Sequence, residues 1–316
     1  MSRIATWNNI GKDVSEYRDY RSVLTNAGLD YEVVMKPGRI RVDGREIRTG
    51  DYYTMRKGDP EHIYGRVSRE YNIIQNETAF AFADYISEDL AFVRAGETAL
   101  RKNPRTGRIS GGMVYMIGKL PPVTILGDSF TPHIIMSNDF AGQMAMRVAL
   151  CFLRLVCLNQ FNWAYRNSRA SLSFIHNSKA TAALEEGRFL MKSYADSLEG
   201  FNKTAEGYAC MKLSPRQIRM ALDAMFRVTG NESPEVLARI EREKQRFMEA
   251  FAIAYAAPDN ANFTGTAWGL INAYMDVITH QEKLKKTKNW EENRFIEVTF
   301  GNHTNRLMSA IDIVAA

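Results

Sequence analysis

The chain has 316 residues, 45% of them apolar and 24% charged, so it can bury a sizeable core, and disorder along its whole length is excluded. Its 41 basic and 36 acidic residues leave a net charge of +5, which permits a polyanionic partner without requiring one.

Signals for secretion or membrane insertion are missing from the sequence. The first residues lack the apolar segment of a signal peptide, and the most apolar run, residues 148–158, is short and contains Arg154. The three cysteines, Cys151, Cys157 and Cys210, are too few for a disulfide framework. We therefore expect a cytoplasmic protein with no membrane partner.

The first part of the chain is predicted to form strands. Residues 40–47 alternate apolar and charged side chains around Asp43-Gly44, a pair that favours a type I′ turn and therefore a β-hairpin. A third strand is predicted at residues 52–55, with further short strands at 63–67 and 71–74. A helix is predicted to begin at Asn76 as its N-cap and to end near Tyr85.

Two more pairs of strands are predicted before the middle of the chain. The first pair comprises residues 91–101 and 109–119, joined by a polar link that is rich in turn-forming residues. Within it, Gly111-Gly112 indicates a bulge or a close backbone contact. The second pair comprises residues 133–136 and 144–150.

The later part of the chain is predicted to be mainly helical. Ser214 and Ser233 are N-caps because a proline follows each at the first helical position. A third helix is predicted from about Thr264, and residues 295–300 are predicted to form a late strand. The sequence thus indicates an α+β protein: an N-terminal antiparallel sheet rich in β-hairpins with a packing helix, residues 1–165, followed by a mainly helical region, residues 166–316.

Signatures of common enzymes are missing from the sequence. The segment from Gly112 to Lys119 resembles a phosphate-binding loop, but its glycine spacing is one residue too long, and Leu120 stands where Ser or Thr would hold magnesium. The cysteines lack the paired spacing of a zinc site, and the five histidines are scattered. We therefore assign no catalytic residue, no metal and no cofactor, and we favour a function without bond-making chemistry.

Basic residues are concentrated in two of the predicted hairpins. They are Arg39, Arg41, Arg45 and Arg48 in the first, and Arg94, Arg101, Lys102, Arg105 and Arg108 in the second. We expect Arg39, Arg41 and Arg45 to share one face. With Tyr52 and Tyr53 as stacking surfaces, these cations are predicted to bind a single nucleic-acid strand. The alternative is an ordinary charged surface.

Several short segments, in order and spacing, carry a resemblance to a known family. They are residues 27–33 (Ala-Gly-Leu-Asp-Tyr-Glu-Val), 65–71 (Gly-Arg-Val-Ser-Arg-Glu-Tyr), 75–80 (Gln-Asn-Glu-Thr-Ala-Phe), 94–97 (Arg-Ala-Gly-Glu), 154–159 (Arg-Leu-Val-Cys-Leu-Asn), 265–273 (Gly-Thr-Ala-Trp-Gly-Leu-Ile-Asn-Ala) and His280. Together they resemble the phage/plasmid-like proteins that carry the domain of unknown function 932. The resemblance covers nearly the whole chain and implies a mobile-element context.

One motif departs from the pattern of that family. Where many members carry Asn-Ser-His-Asp-Gly, this chain has Met-Ser-Asn-Asp-Phe at residues 136–140, so Asn138 replaces the histidine. If the motif is an acid–base or metal site in the family, this chain lacks its main titrating group. The remaining polar residues are predicted to form a network, with structural and functional roles both open: Ser137, Asp139, Arg154, Asn159 and His176.

Three functional hypotheses follow. The leading one is a non-enzymatic DNA-binding protein of phage or plasmid origin, with single-stranded DNA as the favoured partner, a role in annealing or recombination, and assembly as a homo-oligomer in a bacterial host. It draws on an analogy of outline with annealing proteins, and fold does not fix function. The alternatives are an enzyme acting on nucleic acid or nucleotide through Asp139, Arg154 and Asn159, and a structural or counter-defence protein that binds a host protein.

Overall fold

The computed structural model describes residues 5–102, 104–106, 109–162, 171–177, 194–226, 228, 230–280, 289–301, 307 and 310–312. Antiparallel sheets make up the first part of the chain and helices dominate the second, which confirms the predicted α+β class.

Within the described residues, the strands form three antiparallel sheets. In chain order they are β1 (Lys12–Asp13), β2 (Val33–Val42), β3 (Arg45–Arg56), β4 (Ile63–Val67), β5 (Ala91–Glu97), β6 (Arg101–Lys102), β7 (Ile109–Ser110), β8 (Met113–Lys119), β9 (Val123–Ile125), β10 (Asp128–Asp139), β11 (Met146–Arg154), β12 (Asn159–Asn162) and β13 (Ser171–Phe174). The main sheet has the order β1-β5-β8-β10-β11-β12, with β9 paired to β10 and β13 to β11. The outer sheet has the order β2-β3-β4, and β6 pairs with β7 in a separate two-stranded sheet.

The centre of the main sheet is buried on both faces. Along β10, Ile134 and Met136 face the larger of two hydrophobic clusters, whereas Ile135 between them faces a smaller cluster that contains Trp7 and Phe295. Because successive side chains of a strand point to opposite faces, burial on both sides requires the nearly continuous apolar runs seen in β8 and β10.

The helices are α1 (Tyr20–Ala27), α2 (Asn76–Phe80), α3 (Tyr194–Cys210), α4 (Pro215–Ala224), α5 (Pro234–Tyr255), α6 (Ala267–His280) and α7 (Trp290–Phe300), with 3₁₀ segments at Ala81–Tyr85 and Pro258–Phe263. The predicted caps are confirmed: the Ser214 and Ser233 side chains accept hydrogen bonds from the third helical N–H. Helices and sheet share the larger cluster, in which Phe201 of α3 stacks on Phe152 of β11 at 3.9 Å between ring centres. The main sheet also continues past residue 165, because β13 pairs with β11.

Three predicted elements are wrong in type or extent. Residues 295–300 form the end of α7, where Phe295, Val298 and Thr299 are buried with helical spacing. Residues 52–55 belong to β3, so they continue the second strand of the hairpin instead of forming a third. Residues 71–74 are not a strand. They bond instead to the loop after β13 and to the end of β10, because the Asn72 N–H donates to the His176 carbonyl and the Tyr71 hydroxyl donates to the Asp139 carbonyl.

The boundaries of other elements shift by a few residues. Gln75, not Asn76, is the N-cap of α2, and α6 begins at Ala267. The predicted strand at 109–119 is broken at Gly111-Gly112, which both have positive φ. A Cβ atom on Gly111 would lie 2.1 Å from the Ala99 carbonyl oxygen, so the predicted close backbone contact is confirmed.

Candidate nucleic-acid interface

The outer sheet extends into solvent as a two-stranded hairpin. All residues from 39 to 50 are exposed, and we call this segment the arm. Its turn has the predicted positive φ angles, 48° at Asp43 and 76° at Gly44. The arm begins at a strand irregularity beside Gly38, where an added Cβ atom would lie 2.6 Å from the Thr49 Oγ1 atom, so a larger residue there would displace the Thr49 side chain.

The arm has two chemically different faces. Arg39 lies opposite Arg48 and Arg41 opposite Glu46, so the arginine face carries Arg39, Arg41 and Arg48. On the other face, Ile40 lies opposite Ile47 and Val42 opposite Arg45. The prediction that Arg45 shares a face with Arg39 and Arg41 is therefore wrong. Across a two-residue turn, the directly opposite residues point the same way, so Arg45 follows Val42.

Part of the arginine face is neutralised within the arm. The Arg39 guanidinium lies 2.7 Å from a carboxylate oxygen of Glu46, and both side chains are more than half exposed. Arg41 and Arg48 make no ion pair with any described residue. Exposed pairs of this kind contribute little to folding, so the arm's cations remain available to a polyanion.

A groove of about 570 Å³ opens where the outer sheet meets the rest of the molecule. It is lined by Tyr53, Gly65, Arg66, Thr106, Ile109, Ala141, Gly142 and Gln143. Tyr53 lies in a row across the three strands, directly between Lys36 of β2 and Arg66 of β4. The row therefore places one aromatic ring between two exposed cations, of which Arg66 also lines the groove. Tyr52 points to the opposite face, beside Val67, because neighbouring residues of a strand alternate.

The basic residues of the second predicted hairpin lie in two different environments. Lys102 and Arg105 are exposed on the segment that leads to Thr106, at the edge of the groove. Arg101 instead donates to Asn293 of α7 at 2.7 Å, and Arg94 donates to the Trp7 and Asn8 carbonyls. Arg94 and Arg101 thus connect parts of the fold, and Arg108 lies outside the described residues.

The predicted polar network separates into two groups. In the first, the Asp139 carboxylate accepts hydrogen bonds from the backbone N–H groups of Ala141, Gln143 and Met144. His176 stacks on Tyr71, and burial lowers the pKa of His176 to about 4. Burial also raises the pKa of Asp139. The Ser137 hydroxyl is buried with no hydrogen-bond partner among the described residues.

The second group, Arg154 and Asn159, lies at the opposite end of β10 from Ser137 and Asp139. Arg154 is opposite Phe130 whereas Ser137 is opposite Arg147, a separation of about 23 Å along β10. The buried Arg154 guanidinium is 2.5 Å from Asp128, and Asn159 donates to the Asn272 carbonyl at 3.1 Å. The five predicted residues therefore do not meet in one pocket, and each described contact supports the fold.

Sequence reasoning missed a polar cluster that fixes the outer sheet to the main sheet. The Glu97 carboxylate accepts hydrogen bonds from the Tyr31 hydroxyl at 2.8 Å and from Arg56 at 2.7 Å, and it lies 2.9 Å from His62 Nε2. Arg56 also stacks over the Tyr31 ring at 3.9 Å. Burial, together with the Glu97 charge, raises the pKa of Tyr31 well above its usual range. No local signal could reveal the cluster, because its members come from separate segments.

The described ranges contain neither a cluster of metal-ligating side chains nor a helix that could span a membrane. No three His, Cys, Asp or Glu side chains there are grouped so that they could hold a metal ion. None of the helices there combines the length and apolar composition needed to cross a membrane.

Comparison with known proteins assigns the chain to a family. The model of the family described as Domain of unknown function (DUF932) matches residues 63–297, which is more than half of the chain, so the protein belongs to this family. No curated protein and no solved structure matches it. The arm precedes the matched residues, whereas most of the groove lies within them.

Proposed function

We propose that this member of the DUF932 family binds single-stranded DNA through the groove and the arm, without bond-making chemistry. The observation that carries the proposal is the row of Lys36, Tyr53 and Arg66 across the outer sheet, in which Tyr53 and Arg66 line the groove. Proteins that bind single strands combine aromatic rings, which stack on unpaired bases, with cations that neutralise phosphates. A duplex keeps its bases stacked on each other, so Tyr53 favours a single strand.

The arm supports the same function from the neighbouring surface. It extends from β2 and β3, the strands that carry Lys36 and Tyr53. Strand alternation places Tyr53 on the same side of the sheet as Ile47 and opposite the arginine face, so one nucleic-acid strand contacts both by passing around the edge of the arm. The cations there are exposed and can neutralise phosphates, a contact that carries no sequence information, so we expect binding with little sequence preference.

The finer assignment extends this proposal through the resemblance to phage/plasmid-like proteins. We infer that the DNA is that of a phage or plasmid, that the protein acts in the cytoplasm of a bacterial host, and that it serves annealing or recombination. A strand-annealing assay with complementary oligonucleotides tests this step separately from binding.

Fluorescence anisotropy with labelled single- and double-stranded oligonucleotides, over a series of salt concentrations, tests the binding itself. We expect the wild type to prefer single strands. The double variant Arg41→Gln/Arg48→Gln should reduce the slope of log K against log salt by about 1.4, because each phosphate contact contributes about 0.7 for a single strand.

The matched control is Arg239→Gln/Arg242→Gln, which removes two exposed arginines from α5. We expect it to keep the wild-type slope. Absence of binding at low salt would overturn the proposal, and equal slopes in the two double variants would remove the arm from the interface.

Replacement of the groove tyrosine tests base stacking. Tyr53→Ala should weaken single-strand binding by about 1–3 kcal/mol, whereas Tyr53→Phe keeps a ring and should bind nearly as well as the wild type. Equal binding by the wild type, Tyr53→Phe and Tyr53→Ala would show that no base stacks on this residue.

A further inference from the structure

The second face of the arm is apolar and exposed. Ile40, Val42 and Ile47 retain 51%, 43% and 49% of their accessible surface, and the register places them side by side. We call these three residues the apolar face. A two-stranded ribbon is at best marginally stable in water, and an exposed apolar row on such a ribbon promotes association. The apolar face therefore indicates a second contact, with an apolar partner surface, which the phosphates of DNA cannot supply.

Charge indicates what covers the apolar face. Each arm carries Arg39, Arg41 and Arg48 on its opposite side, so two arms repel each other through the arginine faces and approach only through the apolar ones. A two-fold contact of this kind pairs a surface with itself. The basic residue on the apolar side, Arg45, lies beside the turn. An antiparallel crossing therefore separates the two Arg45 side chains.

The size of the face indicates how strongly it associates. Each copy contributes only three apolar residues to the contact, each about half exposed. Stable interfaces bury at least about 1,200 Å². The contact is therefore too small to hold a dimer in dilute solution, and it becomes effective when another interaction holds two copies close together.

We infer that the arms of two copies pack antiparallel through their apolar faces when the copies bind as neighbours on one DNA strand. The inference rests on the proposed function. Its consequence is cooperative binding: a long strand that holds several copies gains the arm contact, and a short strand that holds one copy does not.

Anisotropy titrations with a short and a long single-stranded oligonucleotide test this consequence. The variant Ile40→Thr/Ile47→Thr keeps β-branched side chains, which favour strands, but shortens the apolar surface. We expect it to lose about tenfold in affinity on the long strand and to keep the wild-type affinity on the short one. The matched control, Leu237→Gln/Ile253→Gln on α5, removes two exposed apolar residues and should behave as the wild type.

Two outcomes of these titrations overturn the inference. One is a variant that keeps the wild-type affinity on the long strand. The other is an equal loss of affinity on both strands, which would show that the apolar face contacts the DNA itself.

Cysteine cross-linking without DNA separates failure of this inference from failure of the proposed function. The background is Cys210→Ser, because Cys151 and Cys157 are buried. At high protein concentration, Ile47→Cys near the middle of the apolar face should form a disulfide-linked dimer, and Arg48→Cys on the arginine face should not. Cross-linking without any DNA binding would support arm pairing and contradict the proposed function. Non-cooperative DNA binding, with equal cross-linking of the two cysteine variants, would support the proposed function and contradict arm pairing.

Discussion

The arm and the main sheet place arginine side chains in opposite environments. Arg154 of the main sheet is 1% exposed and lies between Asp128 and Asp259, at 2.5 and 3.5 Å. Arg41 and Arg48 of the arm are exposed and form no ion pair within the described chain. A buried guanidinium must be paired because desolvation is costly, whereas an exposed one is free to meet a ligand. Burial, rather than residue type, therefore distinguishes a structural arginine from one that is available to a ligand.

The largest expected effect on stability comes from replacing the buried arginine, Arg154. Arg154→Met should lower the free energy of unfolding by about 3–5 kcal/mol, because it leaves Asp128 and Asp259 without their cation. Arg41→Met in the arm should change it by less than about 0.5 kcal/mol. Urea denaturation followed by circular dichroism measures both. Equal stability of the two variants would contradict the contrast.

The cluster that fixes the outer sheet is expected to show the next effect. Glu97→Gln removes the charge that binds Arg56 and contacts His62, and it should cost about 1.5–3 kcal/mol in the free energy of unfolding. The same denaturation experiment tests it. A loss below about 0.5 kcal/mol would mean that the cluster is no stronger than a surface ion pair.

Acid should destabilise the fold through His176. Burial lowers its pKa from 6.5 to about 4, so the unfolded chain binds the proton more tightly and stability falls as pH decreases from about 6.5 to 4. Between pH 7 and pH 5 this one group accounts for about 2 kcal/mol. His176→Phe keeps a ring against Tyr71 and should lose less stability over that interval. A parallel loss in both proteins would assign the acid sensitivity elsewhere.

The smallest expected effect is on the exposed ion pair of the arm. Glu46→Gln should change the free energy of unfolding by less than about 0.5 kcal/mol, because Arg39 and Glu46 are both largely exposed. It should instead strengthen DNA binding, because it releases Arg39 and removes a negative charge. Weaker binding would show that Glu46 positions Arg39 for the phosphate.

Sequence predicted the features that depend on neighbouring residues. The Asp43-Gly44 turn and the Ser214 and Ser233 caps are local, so their patterns were sufficient. Residues 295–300 were predicted wrongly because a short apolar run does not distinguish a strand from a helix.

Contacts between distant segments could not be predicted from the sequence. Arg94 binds the Trp7 carbonyl 87 positions away, and Arg101 binds Asn293 192 positions away, so neither could be recognised as structural. The groove was missed for the same reason, because Arg66 and Tyr53 meet the loop at residues 141–143 only after folding.

The most direct test of the central claim is hydrogen–deuterium exchange with and without a single-stranded oligonucleotide. The arm's backbone is exposed in the free protein, so its amides should exchange rapidly. Our account predicts slower exchange on binding at residues 39–50 and at the strands that line the groove, with little change in α4 and α5. Protection confined to the helices, with the arm unchanged, would contradict it.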